Sequence, residues 1–315
     1  MRSLAFLFPG QGAQYSGMAV DLLLSDAVKK LFDTASDIIG KDIKTLLESD
    51  AETLKRTDVS QPAITAANLA AAAFLGEKGI FPSACAGFSL GEYAALVCAG
   101  IIDAADCFRL VKVRGEIMQK NADKLRGDNS APGMAAVVGL DTETARDLIN
   151  KWRESQDSAE KLEDLFAANI NSPKQLVISG AAAALTEAEK RFKEAGAKRV
   201  IRLQVAGPFH SPLMEDARKE FCAVLEKFNF NDPVIPVFSN VTGKLISSGA
   251  QAKQLAAIHI TSPVLWTEEE KAIAESGIDA CLESGPGKIL QGLWKDSGSE
   301  IPVYAAGTLE DINKL

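Results

Sequence analysis

A serine between two glycines, in Gly87–Gly91 (GFSLG), constrains this chain more than any other stretch. The residues before it, ending in Ala86, are apolar and typical of a buried strand, and an Ala- and Leu-rich segment typical of a helix follows. A strand that turns into a helix over one residue places that residue in a strained turn, and flanking glycines let the backbones pass closely. The pattern predicts an α/β fold in which Ser89 is a nucleophile at a helix N-terminus, where free N–H groups favour negative charge. The alternative is a serine that only caps the helix.

The composition of the 315 residues argues against several classes of protein. The formal net charge of -8 is unlike that of a nucleic-acid-binding protein. The apolar run Leu4–Phe8 is too short for the core of a signal peptide or for a membrane span, so we expect a buried first strand and no membrane association. The five cysteines are scattered through mostly apolar segments, which favours reduced thiols in a cytoplasmic protein over disulfides or a zinc site.

Residues 128–133 (DNSAPG) form the clearest break in the chain. After it the pattern predicts strand, helix, strand, strand, helix and strand, the split βαβ order of a small ferredoxin-like unit. We therefore predict a ferredoxin-like α+β subdomain at 130–203, inserted into an α/β core with a parallel sheet that is formed by 1–129 and 204–315. Within the core, a strand is expected at 234–239. Gln61-Pro62 is predicted to open an Ala-rich helix, because proline suits the first helical position.

A Gly-rich loop, 9–14 (PGQGAQ), follows the first predicted strand. Such a loop can hold a phosphate, but this one lacks both the Lys-Ser/Thr of a P-loop and the spacing of a dinucleotide-binding loop. We interpret it as a loop whose glycines bring backbone N–H groups close to a substrate.

The chain has only two histidines, His210 and His259, that could serve as the base for a serine nucleophile. His210 lies between a predicted strand and a predicted helix, in a loop stiffened by Pro208 and Pro212, which is a typical mounting for a catalytic group. His259 lies near the end of a helical pattern, where a helix-end or partly buried histidine is the simpler interpretation. The sequence therefore favours a pair of Ser89 and His210.

Several motifs resemble the signature blocks of malonyl-CoA:acyl-carrier-protein transacylases, in the family's order and over nearly the whole chain. They are GQGAQ (10–14), GFSLGE (87–92), RGxxMQ (114–119) and GPFHSPLM (207–214), with NxNSP (169–173), SNVTG (239–243) and GPG (285–287) in addition. Together they are far more specific than the serine motif alone. The resemblance implies an α/β core like that of the hydrolases, a ferredoxin-like insertion, and an active site between the two.

The resemblance also implies the catalytic roles. Ser89 would attack the malonyl thioester, and His210 would take its proton. The backbone N–H groups of Gln11 and Leu90 would bind the oxyanion. In this family a main-chain carbonyl orients the histidine; the position that supplies it, commonly glutamine, is here His259, and a backbone role survives that change.

The acyl pocket follows from the same resemblance. Arg114 would bind the free malonyl carboxylate in a bidentate pair that lysine could not mimic, although most arginines on a helix are solvated charges. Met118 and Phe209 would form walls of the pocket rather than core, and Gln61 would line the cleft rather than cap a helix. Phe88 stands where the family usually carries histidine, so it is either a packing residue or one that selects among acyl groups.

The resemblance thus implies a cytoplasmic acyltransferase that moves the malonyl group of malonyl-CoA to Ser89, and then to the phosphopantetheine thiol of acyl carrier protein, in fatty-acid biosynthesis. Its partners would be malonyl-CoA and acyl carrier protein, with no bound cofactor, metal or nucleic acid. Three alternatives stay open. They are a discrete acyltransferase of a polyketide synthase, a serine thioesterase or hydrolase, and a carrier-protein-binding scaffold with an inactive site.

Overall fold

The computed structural model describes residues 3–126 and 131–315, whose named strands form two four-stranded sheets. In chain order the strands are β1 (Leu4–Phe8), β2 (Ala84–Gly87), β3 (Gly133–Val138), β4 (Leu165–Ser172), β5 (Gln175–Gly180), β6 (Arg199–Arg202), β7 (Ala280–Glu283) and β8 (Val303–Ala305). The helices are α1 (Asp26–Ile39), α2 (Ile43–Leu47), α3 (Ala51–Lys55), α4 (Thr57–Glu77), α5 (Gly91–Cys98), α6 (Ala104–Lys124), α7 (Thr142–Glu154), α8 (Ala182–Glu194), α9 (Glu215–Leu225), α10 (Gly249–Ile258), α11 (Trp266–Glu275), α12 (Ile289–Ser297) and α13 (Leu309–Ile312), with 3₁₀ turns at Val20–Leu24 and Pro212–Met214.

The first sheet is parallel, in the order β2-β1-β7-β8. Phe6, at the centre of β1, pairs with Cys85 of β2 on one side and with Leu282 of β7 on the other. These three strands are buried almost throughout, as expected for a parallel sheet that is covered on both faces. Their carboxyl ends meet at one edge, and the Gly-rich loop and the Ser89 turn lie there.

The strand predicted at 234–239 is reduced to two isolated bridges, a parallel one between Val237 and Cys85 and an antiparallel one between Phe238 and Leu245. The Cys85 N–H donates to the Pro236 carbonyl, and the Cys85 carbonyl accepts from the Phe238 N–H. Pro233 and Pro236 have no N–H to donate, so this segment cannot form a longer ladder.

The second sheet is antiparallel, in the order β4-β5-β3-β6. Helices α7 and α8 pack on one of its faces, where Trp152 and Phe192 lie edge to face with ring centroids 4.8 Å apart. The element order and the strand pairing are those of a ferredoxin-like unit, so the predicted fold class is confirmed. The boundaries at 130 and 203 stay a prediction, and residues 128–130 of the predicted break lie outside the described residues.

Helix α4 begins at Thr57, so the prediction that Gln61 and Pro62 open this helix is wrong. The Thr57 N–H donates to Oε1 of Gln119, on α6, at 2.9 Å. Pro62 lacks the N–H that would bond to the Asp58 carbonyl, so the helix continues past it with one hydrogen bond missing. The start of α4 is set by its contact with α6 and not by a local signal.

The two longest helices, α4 and α6, pack against each other beside the parallel sheet. Gly115 of α6 permits this approach, because an added Cβ would lie 2.9 Å from the Thr57 carbonyl oxygen. The packing brings Arg114 of α6 and Gln61 of α4 into one cavity. Within the described ranges, no helix has the length and apolar character that a membrane span requires.

Candidate active site

Ser89 occupies a sharp turn between β2 and α5, as the sequence predicts. Its φ of 50° lies in the left-handed region, which is strained for a residue other than glycine. Gly87 and Gly91 permit the turn. A Cβ on Gly87 would lie 2.1 Å from the Gly91 carbonyl carbon, and a Cβ on Gly91 would lie 2.0 Å from the Phe8 carbonyl oxygen. The Ser89 turn is therefore held in one conformation at the edge of the sheet.

The side chain of Asn240 holds the Ser89 turn through two hydrogen bonds, a role that the sequence did not indicate. Its Oδ1 accepts from the Ser89 N–H at 2.6 Å, and its Nδ2 donates to the Gly87 carbonyl at 2.6 Å. Two buried carboxyl groups hold Asn240 in this position. Glu92 Oε2 accepts from its backbone N–H and Glu269 Oε1 accepts from its Nδ2, each at 2.7 Å. Burial raises the pKa of Glu92 to about 7. A buried polar network thus clamps the turn.

His210 faces Ser89, with Nε2 2.8 Å from the Ser89 Oγ. Its other ring nitrogen, Nδ1, lies 3.1 Å from the His259 carbonyl oxygen and 3.0 Å from that of Ser262. Carbonyl oxygens only accept, so Nδ1 carries the proton and Nε2 presents its lone pair to the serine hydroxyl. Sequence reasoning named His259 as the source of the orienting carbonyl and missed Ser262, which shares this contact.

His210 is 4% exposed, and its φ of 57° is also in the left-handed region. Burial and the nearby Arg114 cation lower the pKa of His210 to about 4. The imidazole is therefore neutral at pH 7 and able to accept a proton. The carbonyl of Phe209, next in the chain, accepts from the Ser179 hydroxyl of β5, which ties the His210 loop to the second sheet.

Gln11 and Leu90, whose backbone N–H groups are the predicted oxyanion donors, line the cavity that contains Ser89. Gly10 brings the Gln11 loop against the Ser89 turn, because a Cβ there would lie 2.2 Å from the Phe88 carbonyl oxygen. Neither N–H has an acceptor within the part of the chain that the structure describes. Two free backbone donors are therefore available beside Ser89, and an oxyanion is the kind of group that they bind.

Arg114 reaches the same cavity from α6 and is 1% exposed. Its Nη2 lies 3.5 Å from His259 Nδ1, its guanidinium lies 5.3 Å from the centroid of the Tyr93 ring, and no ion pair of the described residues includes it. Burial lowers the pKa of Arg114, but a guanidinium stays charged in proteins. The buried Glu92 carboxyl acts on Arg114 only from beyond ion-pair distance. A buried cation without a carboxylate at bonding distance is unfavourable, so this cavity is suited to an anionic ligand.

A cavity of about 450 Å³ joins these groups. Gln61, Met118 and Phe209 line it, where the resemblance predicts them. The Gln61 Nε2 lies 3.3 Å from the Met118 Sδ in the interior of the helix pair, so Gln61 is not a helix cap. The antiparallel sheet closes the other side of the cavity with Met134, Ala136, Asn169, Asn171, Gln175 and Val177. The candidate site therefore lies between the two sheets.

Phe88 has contacts of two kinds. Its ring packs edge to face on Trp266, with centroids 5.5 Å apart, and it also lines the cavity. It therefore has the apolar partner that a packing residue needs and the position that a specificity residue needs.

The fold and the site define a class of protein, an α/β acyltransferase with a serine and a histidine in one cavity. Residues 5–308 match the acyl transferase domain family. A malonyl CoA-acyl carrier protein transacylase from Haemophilus influenzae is 38% identical over 319 residues, which cover 100% of this chain and 98% of that protein. The chain therefore belongs to the family of malonyl CoA-acyl carrier protein transacylases.

Solved structures agree over the same length. An acyl carrier protein S-malonyltransferase from Vibrio cholerae has a TM-score of 0.90 and 34% identity, with 99% of each chain covered. A malonyl-transacylase in complex with its type II PKS acyl-carrier protein has a TM-score of 0.89 and 36% identity, with 99% of this chain and 98% of that chain covered. The similarity therefore includes both sheets and the cavity between them.

Proposed function

We propose that this protein transfers the malonyl group of malonyl-CoA, through an ester on Ser89, to the phosphopantetheine thiol of acyl carrier protein. We place this reaction in fatty-acid biosynthesis and in the cytoplasm, where the five free cysteines would stay reduced. The observation that carries the proposal is Arg114, a buried cation that shares one cavity with Ser89 and His210 and has no carboxylate partner among the described residues. The names of the relatives support the same substrates.

In the first half-reaction, His210 Nε2 takes the proton of the Ser89 hydroxyl as Oγ bonds to the thioester carbon. The N–H groups of Gln11 and Leu90 stabilise the oxyanion, and such a donor is worth about 3–4 kcal/mol. The carbon–sulfur bond then breaks, and His210 returns the proton to the sulfur of CoA. The products are malonyl-Ser89 and free CoA.

In the second half-reaction, the carrier thiol gives its proton to His210 and its sulfur attacks the ester carbon. The same two N–H groups stabilise the second oxyanion. The carbon–oxygen bond to Ser89 breaks, and the serine recovers the proton from His210. In both steps Arg114 pairs with the free carboxylate of the malonyl group, which orients the reacting carbonyl.

Two other functions use the same residues. A serine hydrolase would replace the carrier thiol with water, whereas membership of a transacylase family favours transfer. Malonyl transfer in polyketide synthesis is the second candidate, because one structural relative is in complex with a type II PKS acyl-carrier protein.

The intact mass of the protein tests the proposal after addition of malonyl-CoA and again after addition of holo acyl carrier protein. We expect a gain of one malonyl group that persists in buffer and then moves to the carrier protein. Loss of the adduct in buffer alone would identify a hydrolase, and absence of an adduct would favour a scaffold with an inactive site. Carrier proteins of fatty-acid and polyketide systems, tested side by side, separate the two pathways.

A further inference from the structure

The side chain of His259 makes contacts that the proposed reaction does not use. It is 1% exposed and lies between the Ser89 turn, the His210 ring and Arg114. Its Nε2 is 3.2 Å from Asn240 Oδ1, and its Nδ1 is 3.5 Å from Arg114 Nη2. His259 orients His210 through its main-chain carbonyl alone. That role does not require an imidazole side chain at this position.

The hydrogen on the His259 ring can be assigned from Asn240. The Gly87 carbonyl can only accept, so the amide atom that faces it is the donor Nδ2, and the other amide atom is the acceptor Oδ1. The Ser89 N–H donates to the same Oδ1, which agrees with this assignment. His259 Nε2 therefore carries the hydrogen, and Nδ1 presents its lone pair to the guanidinium.

We propose that the His259 side chain is a positioning residue for Arg114. Its Nδ1 accepts a hydrogen bond from Arg114 Nη2, at the long end of the hydrogen-bond range, and directs the guanidinium into the cavity. His259 thereby sets the preference for acyl groups that carry a free carboxylate. This inference rests on the malonyl transfer proposed above.

A neutral acceptor suits this place better than an acid would. A carboxylate beside Arg114 would neutralise the cation and compete with the substrate carboxylate. An imidazole fixes the direction of the guanidinium and leaves its charge available. The Tyr93 ring face, 5.3 Å from the guanidinium, also leaves the charge in place, and the buried Glu92 carboxyl lies beyond ion-pair distance of Arg114.

The test compares initial rates of Ser89 acylation by malonyl-CoA and by acetyl-CoA in three variants. His259→Phe keeps a ring of similar size and removes the acceptor, and His259→Leu removes both. His259→Asn restores an acceptor, because its amide oxygen can occupy the place of Nδ1. We expect absolute rates to fall in all three, because the His259 ring also packs on the His210 ring, with centroids 5.4 Å apart. The readout is therefore the ratio of the malonyl rate to the acetyl rate.

We expect His259→Phe and His259→Leu to lower this ratio roughly tenfold, the usual worth of one hydrogen bond to a charged group, and His259→Asn to restore most of it. In an Arg114→Ala background the His259 variants should leave the ratio unchanged, because the two residues act through one contact. If either His259→Phe or His259→Leu does not fold, the other is compared with His259→Asn.

Equal loss of malonyl and acetyl rates, or a fall in the ratio that persists without Arg114, would overturn this role for His259. The proposed function fails separately, because it requires that the natural protein be acylated by malonyl-CoA at all. If malonyl-CoA acylates the protein but the ratio of malonyl to acetyl rates is the same in the His259 variants, only the role proposed for His259 is wrong.

Discussion

The two sheets contribute to the cleft in different ways. The parallel sheet, with its helices and loops, carries the polar groups beside the reacting atoms: Ser89 after β2, Gln11 after β1, Arg114 on α6, and the His210 loop. The antiparallel sheet contributes a wall, because alternate residues of its strands face the cavity and the remaining ones face α7 and α8.

This difference follows from the geometry of the strands. In a parallel sheet the strand ends meet at one edge, and tight turns there can present backbone and side-chain donors to a ligand. In an antiparallel sheet the period of two produces a continuous face, which gives shape to a cavity. We therefore expect changes on the parallel side to alter the chemistry, and changes on the antiparallel side to alter recognition of the carrier protein.

The largest effect is expected for Ser89 and His210. Ser89→Ala should abolish acylation by malonyl-CoA, because no oxygen is left to form the ester. His210→Ala should slow acylation by about 10²–10⁴-fold, the usual contribution of a general base. Intact mass against time measures both, and thermal melting checks that each variant is folded. Full labelling of Ser89→Ala would show that the nucleophile lies elsewhere.

Arg114→Ala should slow malonyl transfer by about a hundredfold, because loss of one partner of a buried charged pair costs about 2–5 kcal/mol. Acetyl transfer should stay equal or improve, since an uncompensated cation leaves the cavity. The measurement is competition between malonyl-CoA and acetyl-CoA, with Arg114→Lys as the control that keeps the charge but not the bidentate geometry. A fall of both rates by the same factor would make Arg114 a structural residue.

The lowered pKa of His210 predicts an unusual pH profile. A group whose pKa falls to about 4 keeps its neutral, basic form down to that pH and loses it only below. At pH 5.5 an ordinary histidine, with a pKa of 6.5, would have lost about nine-tenths of its base form. We expect the rate of acylation at low malonyl-CoA to be nearly constant from pH 7 to pH 5.5. A loss of about eightfold over this range, as for an ordinary histidine, would show that burial does not lower this pKa.

The carrier protein, expected to be acidic, should dock on basic residues at the rim of the cleft. The sequence offers Lys120, Lys124 and Arg126 at the end of α6, and Lys190, Arg191, Lys193, Lys198 and Arg199 in the second sheet and its helix. The structure narrows this set, because exposed Lys190, Lys198 and Arg199 form no ion pair with a described residue, whereas Lys120 lies 2.7 Å from Glu220.

Charge reversal at Lys198 or Arg199 should therefore raise the KM for carrier protein several-fold and leave the KM for malonyl-CoA unchanged. The effect should shrink at high salt, because exposed charges are screened. Lys120→Glu serves as the matched control, since that charge already has a partner. If the KM values for both substrates rise together, these residues do not form a carrier-specific surface.

The smallest effect is expected for Phe88, which packs on Trp266 and also lines the cavity between the sheets. Phe88→His would place a polar ring against Trp266 and destabilise the fold by about 1–3 kcal/mol if it finds no partner. We expect a lower melting temperature and an unchanged ratio of malonyl to methylmalonyl transfer. A changed ratio at an unchanged melting temperature would make Phe88 a specificity residue.

Much of the site could be predicted because its signals are local. A serine between glycines at a strand end indicates the turn, and two prolines around His210 indicate a fixed loop. The sequence also contained the order of strands and helices that specifies the second sheet. These features depend on neighbours within a few residues, which patterns in a sequence can show.

The rest depends on contacts between distant parts of the chain. Asn240 clamps the Ser89 turn from about 150 residues away, and no local pattern indicates those hydrogen bonds. The start of α4 was wrongly placed at Gln61 because Gln119, on another helix, binds the N–H of Thr57. The side-chain contact between His259 and Arg114 likewise joins helix α6 to the residue that follows α10, far away in the sequence.

The most direct test of the account is to locate the malonyl group by tandem mass spectrometry of peptides after a brief reaction with malonyl-CoA. We expect a malonyl ester on Ser89 that is lost when holo acyl carrier protein is added, with the same group recovered on the phosphopantetheine thiol. A malonyl group on another residue, or a Ser89 ester that the carrier protein cannot remove, would contradict it.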